Sequence, residues 1–226
     1  MTVCIAALYD NGKGCVLASD QMITAHFPIG YEFERSDVGK IIKYRENVSA
    51  FALIAGDVLF SSEVIDETRK QLDMQGFTAV ENIAEVTRIT YQCVRIKRIT
   101  RHELEPRGLD IETYYQKHLS IYPQVIQLID NALTSYNPGA EFIIAGKNDT
   151  GYRLFTVVNP GDITCHDSIG YTAIGSGAPH AIYSMIESGY KSSLDKVAVE
   201  QMVRKAKERS EVAPGVGHQI SVEVIS

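Results

Sequence analysis

The chain of 226 residues is long enough to bury one ordinary hydrophobic core and has no low-complexity linker, so the sequence predicts a single domain over residues 1–226. Its 22 Lys and Arg residues against 28 Asp and Glu residues give a formal net charge of -6, which argues against a nucleic-acid-binding surface. The first apolar run, Val3 to Leu8, lacks a basic leader and is far shorter than the about 20 residues of a membrane span. We therefore expect no membrane anchor and no nucleic-acid partner.

The four cysteines, Cys4, Cys15, Cys93 and Cys165, lie within apolar patterns and form no CxxC pair. Their spacing suits neither zinc nor a disulfide framework, so we expect buried, reduced thiols. Reduced thiols are typical of the cytoplasm, which is the predicted location.

The first third of the sequence has the pattern of strands. Two apolar runs, TVCIAAL and GCVLAS, are joined by YDNGK, in which Asp10, Asn11 and Gly12 favour a tight reversal. Residues 25–39 look irregular, and KIIKY and SAFALIAG then predict another strand pair around RENV.

Helical spacing follows. One helix is predicted from about Ser61, and a second has apolar residues every three or four positions from Ile83 to Ile96. A third amphipathic stretch runs from Ile111 to Leu133 and includes Tyr115, Leu119, Tyr122, Ile126 and Ile129. Pro123 interrupts it and should kink or restart the helix. This stripe fits either a core or a surface that faces a partner subunit.

Strands return in FIIAG, YRLFTVVN and YTAIG. Two more helices are predicted, from Ala178 to about Ser188 and, behind a Ser192/Ser193 cap, from Leu194 to about Arg209, before a last strand, QISVEVI. Strands and helices are thus grouped in blocks and do not alternate. This order favours an α+β fold of stacked antiparallel sheets covered by helices on both outer faces.

Several stretches, in this order, resemble the β-type subunits of the proteasome family of N-terminal nucleophile (Ntn) hydrolases. They are TVCIAALYDNGKGCVLASD, GKIIKYRENVSAFALIAGD, FIIAGKNDTGYRLFTVVNPG and YTAIGSGAPHAIYSMIESGY. The resemblance spans nearly the whole chain and implies a four-layer αββα sandwich that assembles into a homo-oligomeric ring around a chamber. Residues of about 101–136 form a longer helical connection than is typical of the family, and we expect them to be a helical insertion.

The resemblance also implies site residues. Thr2 matches the N-terminal threonine, Asp20 the acidic residue that ends the second strand, and Lys40 the lysine before the next strand. Ser176 matches the serine of the GSG turn, and Gly56 the glycine whose amide forms the oxyanion hole. The tail departs from the family, because Glu211, Pro214 and Gly215 stand where it has an Asp, a Ser and a Gly. The arginine that often follows the acidic residue is missing from SDQM.

Together these residues predict a threonine-type peptidase or amidohydrolase that needs no cofactor and no metal. Removal of Met1 would free the α-amine of Thr2, whose ordinary pKa of about 7.7–8.0 suits a general base near neutral pH. Ile54 and Val58 would flank the substrate side chain and favour cleavage after apolar residues. A peptide or protein substrate is expected, with an ATP-driven unfoldase as a possible partner.

Other interpretations remain open at this stage. Thr2 fits a plain strand residue behind a retained Met1, Asp20 and Lys40 fit a structural ion pair, and Ser176 fits a helix cap. A catalytically silent scaffold or partner-binding subunit is the main alternative, and transfer of the acyl group to an amine is another.

Two further readings are weaker. GSGAPH lacks the third glycine and the parallel context of a dinucleotide-binding loop. The six histidines form no HExxH pair, so a zinc hydrolase is not expected. Cys4 is expected to pack in the core.

Overall fold

The computed structural model describes residues 2–25, 31–34 and 39–226. The strands are β1 (Cys4–Tyr9), β2 (Gly14–Asp20), β3 (Met22–Ala25), β4 (Tyr31–Glu34), β5 (Ile41–Lys43), β6 (Ala50–Gly56), β7 (Ala140–Lys147), β8 (Tyr152–Val158), β9 (Asp162–Cys165), β10 (Tyr171–Ile174) and β11 (Ile220–Ile225). The helices are α1 (Val58–Gln75), α2 (Val80–Ile99), α3 (Ile111–Lys117), α4 (Pro123–Ser135), α5 (Ala178–Glu187) and α6 (Lys196–Ser210).

Two antiparallel sheets form the centre of the molecule. One has the strand order β10-β1-β2-β11 and the other has the order β5-β6-β7-β8-β9, while β3 and β4 pair separately. The first sheet places β2 beside the last strand, β11, where Asp20 pairs with Ile220. It also places β1 beside β10, where Cys4 pairs with Ile174. Residues that are far apart in the sequence therefore meet at one end of this sheet.

Alternating side chains divide the core into layers. Along β1, Val3, Ile5 and Ala7 pack with α5 and α6, whereas Cys4 and Ala6 pack against the other sheet. On β6 the same alternation places Ala50, Ala52 and Ile54 against α1 and α2, and Phe51, Leu53 and Ala55 between the sheets. Because these strands are covered on both faces, they have continuous apolar runs and no polar alternation. The predicted α+β fold, a four-layer αββα sandwich, is confirmed.

The turn between β1 and β2 has the predicted chemistry. Asp10, Asn11 and Gly12 have positive φ angles of 49°, 56° and 86°. Asn, Asp and Gly tolerate this left-handed region better than other residues, which is why the motif signals a hairpin.

Three strands escaped the sequence prediction: β3, β4 and β9. Part of the stretch interpreted as irregular, residues 25–39, forms β4, which pairs with β3 through Met22↔Glu34 and Ile23↔Phe33; residues 26–30 and 35–38 of that stretch lie outside the described residues. β9 is a mostly exposed edge strand that pairs with β8. Edge strands bury few side chains and so lack the apolar period on which strand prediction relies.

Two helix starts also differ from the prediction. Helix α1 begins at Val58, ahead of the expected Ser61, because the Asp57 carboxylate accepts a hydrogen bond of 2.7 Å from the Phe60 amide. Helix α6 is capped by Asp195, whose carboxylate accepts from the Ala198 amide at 2.8 Å, so the predicted Ser192/Ser193 cap is wrong. A carboxylate at the N-cap also interacts favourably with the helix dipole.

Residues 101–136 contain α3 and α4, a π-type turn at Thr100–Leu104 and short 3₁₀ turns at Glu105–Arg107 and His118–Ser120. Pro123 starts α4, as predicted. The small core of this segment centres on Leu104, Tyr114 and Ile129, whereas Leu119 and Tyr122 are 88% and 81% exposed. Helix α3 ends at Lys117, so the alternative of a continuous core stripe through Leu119 and Tyr122 is wrong, and a surface that faces a partner subunit stays a prediction. The status of this segment as an insertion, and of the chain as one domain, stays a prediction.

The four cysteines are free, and they differ in burial. Cys4 and Cys15 are buried, and Cys4 packs between the sheets as predicted, but Cys93 and Cys165 are exposed. Cys165 lies on the edge strand β9, and Cys93 lies on a side of α2 that no sheet covers. Within the described residues, no helix is long and apolar enough to cross a membrane, and no cluster of three or more His, Cys, Asp or Glu side chains could hold a metal ion.

The core between the second sheet and its helices should dominate stability. The Phe142 side chain is fully buried, and its ring lies 6.0 Å from that of Tyr91. We expect Phe142→Ala to lower the free energy of unfolding by about 3–5 kcal/mol because it removes apolar burial and leaves a cavity. Leu119→Ala, on an exposed residue, is the control and should stay within about 0.5 kcal/mol of wild type in urea unfolding. Equal losses for the two variants would contradict this view of the core.

Candidate active site

Thr2 lies immediately before β1 and is only 4% exposed. Its backbone N–H donates to Ser176 Oγ at 3.3 Å, and its carbonyl accepts from the Gly177 amide at 3.2 Å. The turn between β10 and α5 thus holds Thr2 in place through both its backbone N–H and its carbonyl. A residue at the start of the chain becomes part of the packed interior.

The Thr2 hydroxyl contacts the ammonium group of Lys40. Lys40 Nζ donates to Thr2 Oγ1 in a short hydrogen bond and also donates to Asp20 Oδ1 at 2.7 Å. Lys40 is 8% exposed and Asp20 is 1% exposed, so both charges are buried. Asp20 and Lys40 do form an ion pair, and it is buried.

The Asp20 carboxylate is held by backbone amides as well as by Lys40. Oδ1 accepts from the Val3 amide at 3.0 Å, and Oδ2 accepts from the amides of Met22 at 3.1 Å and Gly217 at 3.0 Å. A buried charge is tolerated only when its hydrogen-bonding capacity is met, and these donors meet it. Asp20 is consequently fixed, and it fixes the position of Lys40.

The Gly175-Ser176-Gly177 turn lies against Thr2. Gly175 has a φ of +89°, and a Cβ on it would stand 2.3 Å from the Thr2 carbonyl oxygen, so only glycine fits. The N-cap of α5 is Gly177 and makes no side-chain cap hydrogen bond, so the interpretation of Ser176 as a helix cap is wrong. The Ser176 side chain faces Thr2 instead.

Of the residues after α6 that were compared with the family's Asp, Ser and Gly, Pro214 contacts this site and Glu211 does not. Ser176 Oγ donates at 3.5 Å to the Pro214 carbonyl and at 3.4 Å to the Thr2 carbonyl, so Pro214 supplies an acceptor although it has no hydroxyl and no amide. Glu211 does not contact Ser176. Its carboxylate pairs with Lys207 at 2.6 Å and with His218 Nδ1 at 2.7 Å.

Glu211, Lys207 and His218 together close the loop that follows α6. Lys207 Nζ, on a residue only 2% exposed, also donates to the His218 carbonyl at 2.5 Å. Gly217, next to His218, is the residue whose amide reaches Asp20. Glu211 therefore does not contact the candidate site directly but helps to fix the loop whose Gly217 amide contacts Asp20.

Gly56 lines a cavity of about 370 Å³ beside Thr2, together with Ala55, Gly139, Glu141, Gly175 and Ser176. Its φ is +94°, and a Cβ there would stand 1.6 Å from the Gly139 carbonyl oxygen. The bare backbone at Gly56 thus allows β6 to end close to the turn that precedes β7. It also leaves room for a small group beside Thr2.

The predicted pocket residues lie elsewhere. Ile54 is 7% exposed and belongs to the core under α1 and α2, and Val58 is 45% exposed at the start of α1. Neither is among the described residues that line the cavity beside Thr2. Their role in substrate binding stays a prediction.

Cys4 is the remaining nucleophilic side chain close to this site. Its thiol donates to the Ile54 carbonyl at 3.3 Å and is fully buried. Burial, only partly offset by the charge of Lys40, raises the pKa of the Cys4 thiol well above its ordinary value. Cys4 is therefore an inert core thiol.

Sequence reasoning missed Glu141 and Gly217. Glu141 lies on β7, and its Oε2 accepts from the Gly175 amide at 2.8 Å. A polar residue within the apolar run of a buried strand, AEFIIAG, was the available signal. Gly217 acts only through its backbone amide, which no side-chain pattern reveals.

No protein-family model and no curated protein matches this chain. Among solved structures, the chain is similar to the Anbu (Gly-1) mutant from Hyphomicrobium sp. strain MC1, with a TM-score of 0.68 and 14% sequence identity. The match covers 98% of this chain and 81% of the Anbu chain. The two proteins therefore share a fold, the four-layer αββα sandwich described above.

This similarity corrects the assignment to the β-type subunits of the proteasome, which is wrong: the structural match points to an Anbu-type fold. The stretches that suggested the assignment form the first hairpin, the strand pair β5 and β6, the pair β7 and β8, and the turn before α5. These parts build the sandwich itself. They identify the architecture and do not separate one branch of proteins with this architecture from another.

Gly56→Ala should destabilise the protein more than Gly76→Ala. Both glycines have positive φ angles, 94° at Gly56 and 68° at Gly76. An alanine held in this left-handed conformation lowers the free energy of unfolding by about 1–3 kcal/mol at either position. At Gly56 the added Cβ also meets the Gly139 carbonyl oxygen at 1.6 Å, whereas at Gly76 nothing lies within 4 Å. Urea unfolding of the two variants measures the difference. Equal destabilisation would show that the backbone contact at Gly56 is not tight.

Glu211→Gln should destabilise the protein at neutral pH by about 1–3 kcal/mol, because it leaves the buried Lys207 ammonium without its carboxylate. Burial opposes ionisation of Glu211, but the hydrogen bonds from Lys207 and His218 prevail and hold the pKa of its carboxyl below the ordinary value. A depressed pKa contributes stability above the unfolded pKa of about 4.3, and this stability is lost as pH falls through the folded pKa.

Unfolding measured between neutral and acidic pH tests this expectation. The difference between wild type and Glu211→Gln should shrink as the pH falls. Glu208→Gln, on an exposed residue of the same helix, is the matched control and should follow wild type. A pH-independent difference at Glu211 would refute the electrostatic origin.

Proposed function

We propose that this protein is a threonine-type amidohydrolase or peptidase that uses Thr2 as its nucleophile after removal of Met1. The observation that carries the proposal is the contact of a buried lysine with the threonine hydroxyl: Lys40 Nζ donates to Thr2 Oγ1 and to Asp20 Oδ1. If Lys40 and Asp20 formed only a structural ion pair, Lys40 would not also need to contact the Thr2 hydroxyl. A nucleophile that must lose a proton does benefit from a fixed cation beside its oxygen.

The first step would use the α-amine as the base. Once Met1 is removed, Thr2 N becomes a primary amine that Ser176 Oγ, at 3.3 Å, holds in position. The amine takes the proton of the Thr2 hydroxyl while Oγ1 attacks the substrate carbonyl carbon. The Lys40 ammonium stabilises the negative charge that develops on Oγ1, and Asp20 keeps that ammonium in place.

The remaining steps follow from proton balance. The carbonyl oxygen becomes an oxyanion, for which we propose the Gly56 backbone amide as donor, since Gly56 lines the cavity beside Thr2. The C–N bond then breaks, and the leaving amine takes the proton from the α-ammonium. Water attacks the resulting ester and gives a proton to the α-amine; the bond between the acyl carbon and Oγ1 then breaks, the α-ammonium returns the proton to Oγ1, and the carboxylic acid is released.

The wider setting belongs to the same proposal. We place the reaction in the cytoplasm, because all four cysteines are free. We further propose that the protein assembles into a homo-oligomeric ring, acts on a peptide or protein substrate and is supplied by an ATP-driven unfoldase. Ile54 and Val58 remain candidates for contacts with more distant substrate residues.

Intact-protein mass spectrometry before and after treatment with an epoxyketone or β-lactone probe tests the proposal. We expect a mass lower by one Met and an adduct on Thr2. Thr2→Ala with Met1 removed should abolish the adduct and hydrolysis, and Thr2→Ser should retain both in part. Thr164→Ala, on the exposed edge strand β9, is the control and should behave as wild type.

Lys40→Met should lower hydrolysis by about 10²–10³-fold, the loss typical of removing one group that stabilises charge in the transition state. Retained Met1 without an adduct, or full activity of Thr2→Ala, would contradict the proposed nucleophile. Retained Met1 would favour a silent scaffold instead, because the lone pair of an acylated Thr2 nitrogen is delocalised into the peptide bond and cannot serve as the base.

A further inference from the structure

Among the residues that the structure describes, Glu141 is the one charged side chain that lines the cavity beside Thr2. Among the described residues, its other walls come from Thr2, Ala55, Gly56, Gly139, Gly175 and Ser176, which are small or neutral. Glu141 occupies β7 opposite Ala55, so the sheet register fixes its position at the cavity wall. The space next to the candidate nucleophile is therefore bordered by a carboxylate.

The Glu141 carboxylate is only half satisfied by the protein. Its Oε2 accepts from the Gly175 amide at 2.8 Å, whereas within the described residues Oε1 accepts no hydrogen bond and no lysine or arginine forms an ion pair with Glu141. The nearby Lys40 ammonium is already engaged by Asp20 and Thr2. One carboxylate oxygen thus remains available to a group that enters the cavity.

We propose that Glu141 is a specificity-determining residue that binds a cationic group of the substrate beside the bond that Thr2 attacks. The group would be a lysine or arginine side chain or a protonated amine. A charge-assisted hydrogen bond to a partly buried carboxylate is stronger than one between neutral partners, and an acidic substrate group in the same place would be repelled. This inference rests on the proposed function of Thr2.

The proposal differs from the apolar preference that Ile54 and Val58 suggested. Those residues do not line this cavity, whereas Glu141 does. We therefore expect the substrate preference to depend on the charge of the substrate group that lies beside Glu141. Because Glu141 is only partly buried, salt should weaken the preference.

A merely structural role for Glu141 is the competing explanation. Its Oε2 orients the Gly175 amide, and Gly175 precedes the Ser176 side chain that contacts Thr2. Glu141→Gln separates the two roles, because the amide oxygen of Gln can still accept from Gly175 while the negative charge is lost. A structural role predicts equal effects on all substrates, and a specificity role predicts an effect on cationic substrates alone.

The experiment compares matched peptides that contain either lysine or ε-N-acetyllysine, placed in turn at each position on both sides of the cleaved bond. For wild type we expect kcat/KM to favour lysine by roughly tenfold or more at one position, about 1.4 kcal/mol. Glu141→Gln should bring this ratio close to one while leaving cleavage of the acetylated peptide within a fewfold of wild type. Asp162→Asn, which removes one negative charge on edge strand β9, is the control and should keep the wild-type ratio.

Two further readouts separate the failure of this inference from that of the proposed function. Labelling of Thr2 by the β-lactone probe reports the nucleophile independently of Glu141. Equal lysine-to-acetyllysine ratios in wild type and Glu141→Gln, with Thr2 labelled, would overturn the specificity role and leave the proposed function intact.

Absence of labelling would overturn the proposed function. Binding of the same peptides, measured by calorimetry, then decides the role of Glu141. A lysine preference that disappears in Glu141→Gln supports a cation-binding carboxylate, and identical binding to both proteins refutes it.

Discussion

The buried ion pair between Asp20 and Lys40 is the constraint on which the site depends. Removing two charges from water costs more free energy than their attraction returns unless every remaining donor and acceptor is also satisfied. Asp20 meets this condition with backbone amides from Val3, Met22 and Gly217, and Lys40 donates two of its three N–H bonds, to Asp20 and to the Thr2 hydroxyl. The hydroxyl is therefore held in place by the same contacts that make burial of the charges tolerable.

This requirement links distant parts of the chain. The residue before β1, the first residue of β3 and the loop after α6 each donate an amide to Asp20, while the turn before α5 contacts Thr2. Lys207 and Glu211 close the loop that carries Gly217, so a second ion pair supports the first. A local change in any of these segments will be transmitted to the Thr2 hydroxyl through backbone hydrogen bonds.

Much of the architecture could be predicted from the sequence because its signals are local. Asp10, Asn11 and Gly12 specify the first hairpin, and Pro123 starts a helix because its ring cannot continue one. The prediction failed at the edge strand β9, where few side chains are buried, and at the cap of α6, where Asp195 competed with two nearby serines. In both cases tertiary packing decided what local propensity left open.

The sequence by itself determined the order of the elements, the layered α+β fold and the residue types that a threonine nucleophile needs, since periodicity and turn chemistry act between neighbours. Only the tertiary structure decided which of these residues meet. It placed Ser176 against Thr2, turned Glu211 towards Lys207 and brought Glu141 to the cavity wall. Sheet register and the pairing of β1 with β10 set these contacts, and register arises from packing between strands that are far apart in the chain.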